Sequence, residues 1–200
     1  MVKSPWVWLL GTLLALVIIT GFAPQEKTLG ASARLVYLHG AWVWVALLVF
    51  IAAGIVGLVG LMSRKPDLYA WSRALGRTGL LLWIINLPLS LYIMQASWNG
   101  LFLYEPRWQL VSTFAIAGLL LQLGLSLFQP IWACIANPIY VSVLAYSMSG
   151  IVNVMHPVSP VLNSDSRAIQ GFFAALIALL ILAAWQIGKI WRQFEKLKQV

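Results

Sequence analysis

Six apolar runs, at about 5–23, 36–62, 75–97, 109–128, 131–155 and 168–188, take up most of the 200 residues. A helix needs about 20 apolar residues to cross a hydrocarbon core, because it rises about 1.5 Å per residue and must satisfy its own backbone hydrogen bonds there. Runs of this length point to one fold class: an all-α, polytopic membrane protein of six transmembrane helices, forming a single domain over 1–200. At 62% apolar and 9% charged, the chain has too little polar side chain to coat a water-facing globule. The first run follows Lys3 in the manner of a signal peptide. Pro24, directly after Gly21, Phe22 and Ala23, makes a poor cleavage site, so a retained helix is expected.

Thirteen Lys and Arg against five Asp and Glu give a formal charge of +8. In a soluble chain that excess would suggest nucleic acid. Here a bilayer accounts for it, since cytoplasmic loops collect basic residues and lipid head groups are anionic, and no nucleic-acid partner is expected. With both termini cytoplasmic, the inner set is Lys3, Arg64, Lys65, Arg73, Arg77, Lys189, Arg192, Lys196 and Lys198, and the outer set is Lys27, Arg34, Arg107 and Arg167. The bias favours that orientation, in a prokaryotic inner membrane with the functional face periplasmic. The 189–198 tail reads as a basic segment lying against anionic lipid, or as a plain stop-transfer anchor.

Ala53, Gly54, Gly57 and Gly60 in the second run, and Gly118 and Gly124 in the fourth, are small residues at which helices can approach closely. Asn86, Gln95, Gln122 and Asn137 are polar residues at membrane depth, read as interhelical hydrogen bonds. No acid or base falls in the middle of a run, which argues against an ion-coupled transporter. Cys134 is the only cysteine, so a disulfide framework, a Cys-ligated zinc or iron–sulfur site and a C-x-x-C-H haem attachment are all excluded.

The topology brings three stretches to the outer face: His39 at the start of the second run, the segment Trp98 to Trp108, and His156 at the close of the fifth. A neutral imidazole is a good axial ligand for haem iron, and two from different helices can grip the metal from opposite sides. Trp42, Trp44, Trp98, Phe102, Tyr104 and Trp108 offer stacking surface for a porphyrin. Arg34, Arg107 and Arg167 suit forked contacts to its propionates. His39 and His156 are thus the candidate metal ligands. Ser159, Ser164, Asp165 and Ser166 lie near His156, but loop serines beside prolines are turn residues, and no triad or zinc-hydrolase spacing is present.

The segment Trp98-Asn99-Gly100-Leu101-Phe102-Leu103-Tyr104-Glu105-Pro106-Arg107 is similar, without gaps, to the tryptophan-rich W-G-x-W-W-x-W-D-x-R segment of the cytochrome c assembly family. The order of parts also resembles that family's maturation protein C (haem exporter) type, with a histidine opening the second span and another closing the fifth. Of the family's tryptophans only Trp98 stands; Leu101, Phe102 and Tyr104 replace others, and Glu105 replaces the aspartate. The resemblance implies that haem b is held at the outer face by His39 and His156 over the aromatic loop, with Glu105 and Arg107 in the site. Haem would then pass to a haem chaperone or apocytochrome c, which is carriage rather than bond-making catalysis. Two other readings stand beside it. One is a haem b electron-transfer membrane anchor; the other is a haem-free structural or assembly subunit of a larger membrane complex, which the replaced tryptophans favour.

Overall fold

The structure is a computed structural model that describes residues 4–27, 29–30, 32–152, 154–155 and 161–197. These form six α-helices: α1 Pro5–Gly21, α2 Ala33–Ser63, α3 Pro66–Trp98, α4 Pro106–Leu125, α5 Ile131–Ser149 and α6 Arg167–Leu197. The chain is all-helical, and α2 to α6 are each long and apolar enough to cross a membrane. Six spans were expected, and α1 is the shorter element: its 17 residues rise only about 25 Å, against a core of about 30 Å.

Local chemistry sets the helix ends. Ser4 caps α1 by accepting the Trp6 N–H at 3.4 Å, and Pro5 supplies a first position that needs no donor. α2 and α3 are joined by two residues, with Arg64 in the left-handed region at φ 53° and the Lys65 N–H returning to the Gly60 carbonyl at 3.3 Å. Asn99, also at φ 53°, ends α3 with its N–H on the Gln95 carbonyl at 3.1 Å.

α2 is the hub, packed against α3, α5 and α6. Small residues permit that closeness: a Cβ on Gly57 would lie 2.9 Å from the Cys134 Cα and the Ser72 Oγ, and one on Gly79 would lie 2.8 Å from the Phe50 ring. Gly118 is equally tight against the Tyr140 hydroxyl at 2.7 Å. Gly124 departs from expectation, with nothing among the described residues within 4 Å of an added Cβ. Around the hub, Tyr37, Val45, Phe50, Trp83, Phe173, Leu176 and Leu180 form the buried core. α4 rests on α3 and α5, while α1 lies mainly along α6, with Leu9 among Ala183, Ile187 and Ile190.

Polar side chains inside the bundle tie helix to helix. The Ser72 Oγ donates to the Ala53 carbonyl at 2.8 Å, Asn137 Nδ2 donates to the Ser72 carbonyl at 2.8 Å, and Gln122 Nε2 donates to Asn137 Oδ1 at 3.1 Å. This chain links α2, α3, α4 and α5, as expected for Gln122 and Asn137. The other two expected bridges differ: Asn86 bonds within its own helix, to the Ser90 Oγ at 3.4 Å, and Gln95 is exposed.

At one end of the bundle the last turns of α6 fold against the first turns of α3. Glu195 pairs with Arg77 at 2.9 Å and Arg73 at 3.8 Å, Arg192 pairs with Asp67, and Arg73 also donates to the Phe128 carbonyl. Trp71 and Trp185 stack with centroids 4.9 Å apart, and Arg192 lies over Trp71. The 189–197 segment, read from sequence as lying on anionic lipid or as a plain stop-transfer anchor, continues α6 and is ion-paired to α3.

Candidate functional site

The opposite end carries the sequence-derived candidates. His39 lies in the second turn of α2, half-buried, with Nδ1 inside the protein. One turn on, Trp42 is half-buried and directs its indole N–H to the Leu82 carbonyl of α3 at 2.8 Å. That nitrogen is committed to joining α2 and α3. Beside them, Gly40 lets the Phe173 ring of α6 approach to 3.3 Å from where a Cβ would stand.

Trp98 is the last residue of α3 and meets Phe102 edge-on, with ring centroids 6.0 Å apart and planes at 76°. Between Asn99 and Glu105 the chain has no regular structure, and its apolar side chains point outward. Leu101 is 55% exposed, Phe102 39%, Leu103 48% and Tyr104 91%. The far end of this ledge is fixed by Glu105, which is only 6% exposed. Its Oε2 accepts the Trp108 N–H at 2.7 Å, the Glu105 N–H returns to the Phe102 carbonyl at 3.0 Å, and Pro106 opens α4.

Glu105 is therefore the cap of α4 rather than a surface carboxylate. Its second oxygen, Oε1, is buried with no hydrogen-bond partner among the described residues. The Glu-Pro dipeptide was the signal for this in the sequence, since it sets a capping acid directly before a first-turn proline. Arg107 follows, half-buried in the first turn of α4. Arg34 in the first turn of α2 and Arg167 at the start of α6 are exposed at the same end.

His156 lies outside the described residues. Its described neighbour Met155 is 46% exposed. The structure thus brings His39, Trp42, Trp98, the 101–105 loop and three arginines to one end of the bundle. Among the described residues no three His, Cys, Asp or Glu side chains gather to hold a metal ion. The chemistry this end offers is an imidazole, an open apolar ledge and cations.

No family model matches the chain. Among curated proteins, a cytochrome c biosynthesis ccmC-like mitochondrial protein of Marchantia polymorpha is 24% identical over 100 residues, which is 50% of this chain and 43% of the relative. The chain spans less than half the length of that relative. The similarity supports a divergent relationship to cytochrome c assembly proteins without fixing a type among them. The relative is mitochondrial, so it lends no support to a prokaryotic inner membrane as the location.

Proposed function

We propose that this chain is a haem-handling membrane protein of the cytochrome c assembly kind. It takes haem b at the end that carries His39 and hands it on to a haem chaperone or apocytochrome c. The observation that carries this reading is the 98–105 loop, where four successive apolar or aromatic side chains stand exposed on a segment anchored by Trp98 and by the capping Glu105. Apolar surface held open in this way suits a binding ledge.

A haem matches what the ledge and its surroundings offer. It is flat and apolar with two carboxylates, so the aromatics suit its face, and Arg34, Arg107 and Arg167 suit its propionates. His39 and His156 are the imidazoles that would hold its iron. Haem is cargo here and has to leave, and an open ledge releases it more readily than a sealed pocket.

The reading is tested by titrating haem into detergent-purified protein and following the Soret band. Replacing Phe102 and Tyr104 together by serine is expected to weaken binding on the order of tenfold, by removing apolar contact area. Unchanged affinity in this variant would remove the ledge from the site. One feature favours a second reading, a haem-free assembly subunit: Trp98 is the sole tryptophan retained from the family's loop. Stoichiometric membrane partners that co-purify without iron are its expected signature.

A further inference from the structure

Arg73 is a buried cation, 6% exposed, near the start of α3. A guanidinium carries five N–H donors in a planar fork. Among the described residues the Arg73 fork has one hydrogen-bond acceptor, the Phe128 carbonyl. Glu195 Oε1 stands 3.8 Å from its Nη1 and takes its hydrogen bond from Arg77 instead, at 2.9 Å. The Arg73 Nε is buried with no hydrogen-bond partner. Burying a charge with its donors unmet is costly, and two arginines against one carboxylate leave this group one positive charge in excess.

Phe128, whose carbonyl Arg73 holds, lies in the turn between α4 and α5 and is also part of the wall of an apolar surface groove. Leu125, Phe128, Trp132, Ile135, Ala136 and Ile139 line this groove of about 350 Å³. Phe128 and Trp132 meet edge-on at its mouth, and both are exposed. From there it follows Ile135 and Ile139, one turn apart on α5, away from the helix end. The α2–α3 turn and the last turns of α6 add Arg64, Lys65, Lys189 and Arg192 to the same end of the bundle, against Asp67. Aromatic rings and excess cations at a helix end suit the head-group layer of a membrane.

We propose that this corner binds an anionic phospholipid of the leaflet it faces. One acyl chain lies in the groove along α5, and the phosphate sits at the groove's mouth, where its oxygens accept from the Arg73 fork. A phosphodiester carries one negative charge, which matches the excess of the Arg73, Arg77 and Glu195 group. Phe128 is 59% exposed, so little packing resists its ring turning aside to admit a phosphate oxygen to Nε. The groove selects a lipid over free phosphate, which has nothing to place against its apolar walls.

The full chain in neutral maltoside detergent is titrated with phosphatidylglycerol, phosphatidylcholine or inorganic phosphate; native mass spectrometry reads the bound lipid and a thermal melt reads the stabilisation. Phosphatidylglycerol is expected to bind about tenfold more tightly than phosphatidylcholine and to raise the Tm, and inorganic phosphate is expected to leave the Tm unchanged. Arg73→Lys keeps a charge beside Glu195 but loses the fork, and Ala136→Phe fills the groove from a half-buried position. Each is expected to lower phosphatidylglycerol affinity about tenfold. Should Arg73→Lys not fold, Ala136→Phe carries the measurement. Equal binding of the two lipids, or a phosphatidylglycerol affinity that the substitutions do not move, overturns the site. Stabilisation by inorganic phosphate to the same extent as by phosphatidylglycerol overturns a lipid as its occupant.

Discussion

Glu105 illustrates how one side chain carries two levels of structure. One carboxylate oxygen satisfies a backbone donor that the start of α4 leaves open, and the same bond fixes where the exposed ledge ends. Glu105→Ala is expected to lower stability by about 1 kcal/mol, the usual worth of an N-cap, and a thermal melt in detergent measures it. Glu105→Asp, which keeps an acceptor at a cap position, is expected to lose less. The Glu-Pro pair made this cap readable from the sequence. The role of Trp42 was not readable, because an interfacial tryptophan looks the same whether its N–H meets lipid head groups or, as here, the Leu82 carbonyl. The same holds for Asn86, whose burial to 1% exposure exists only once the bundle is packed.

Among the helices, glycine spacing makes opposite demands at two sites. Gly57→Ala forces a Cβ to within 2.9 Å of the Cys134 backbone on α5, and is expected to cost about 1–3 kcal/mol of stability through overpacking. Gly124→Ala meets nothing within 4 Å among the described residues; it is expected to be neutral or to gain up to about 1 kcal/mol in helix propensity. Denaturation of the two variants side by side checks the contrast. Sequence reasoning found every helix from its apolar run but missed where several end. α3 starts at Pro66, nine residues before the run at 75, and Arg73 in that added stretch is helical and paired with Glu195 from the far end of the chain. α5 stops at Ser149, although the apolar run continues to 155. Hydropathy registers transfer into lipid, and neither a tertiary ion pair nor a helix stop is visible to it.

Across the whole molecule the charge does two kinds of work. The end bearing Arg73, Arg77 and Arg192 is held closed by Glu195 and Asp67, which bind α6 to α3. Removing the shared acid by Glu195→Ala leaves two nearby arginines without their partner and is expected to cost about 3 kcal/mol, as for breaking a buried pair. A melt read against the unsubstituted protein measures that loss. If the basic bias sets orientation as the loop charges suggest, single cysteines at 64 and 103 in a Cys134→Ser background should report opposite sides. An impermeant maleimide is expected to label 103 in intact membranes and 64 only after permeabilisation. The other end, with His39 and the 101–104 ledge, is where cargo would be held. The most direct measurement is the absorption spectrum of detergent-purified, haem-supplemented protein with and without the paired substitutions His39→Ala and His156→Ala. A Soret band that both substitutions together abolish is expected; a colourless unsubstituted protein, or a band that survives the loss of both histidines, would contradict haem handling at this site.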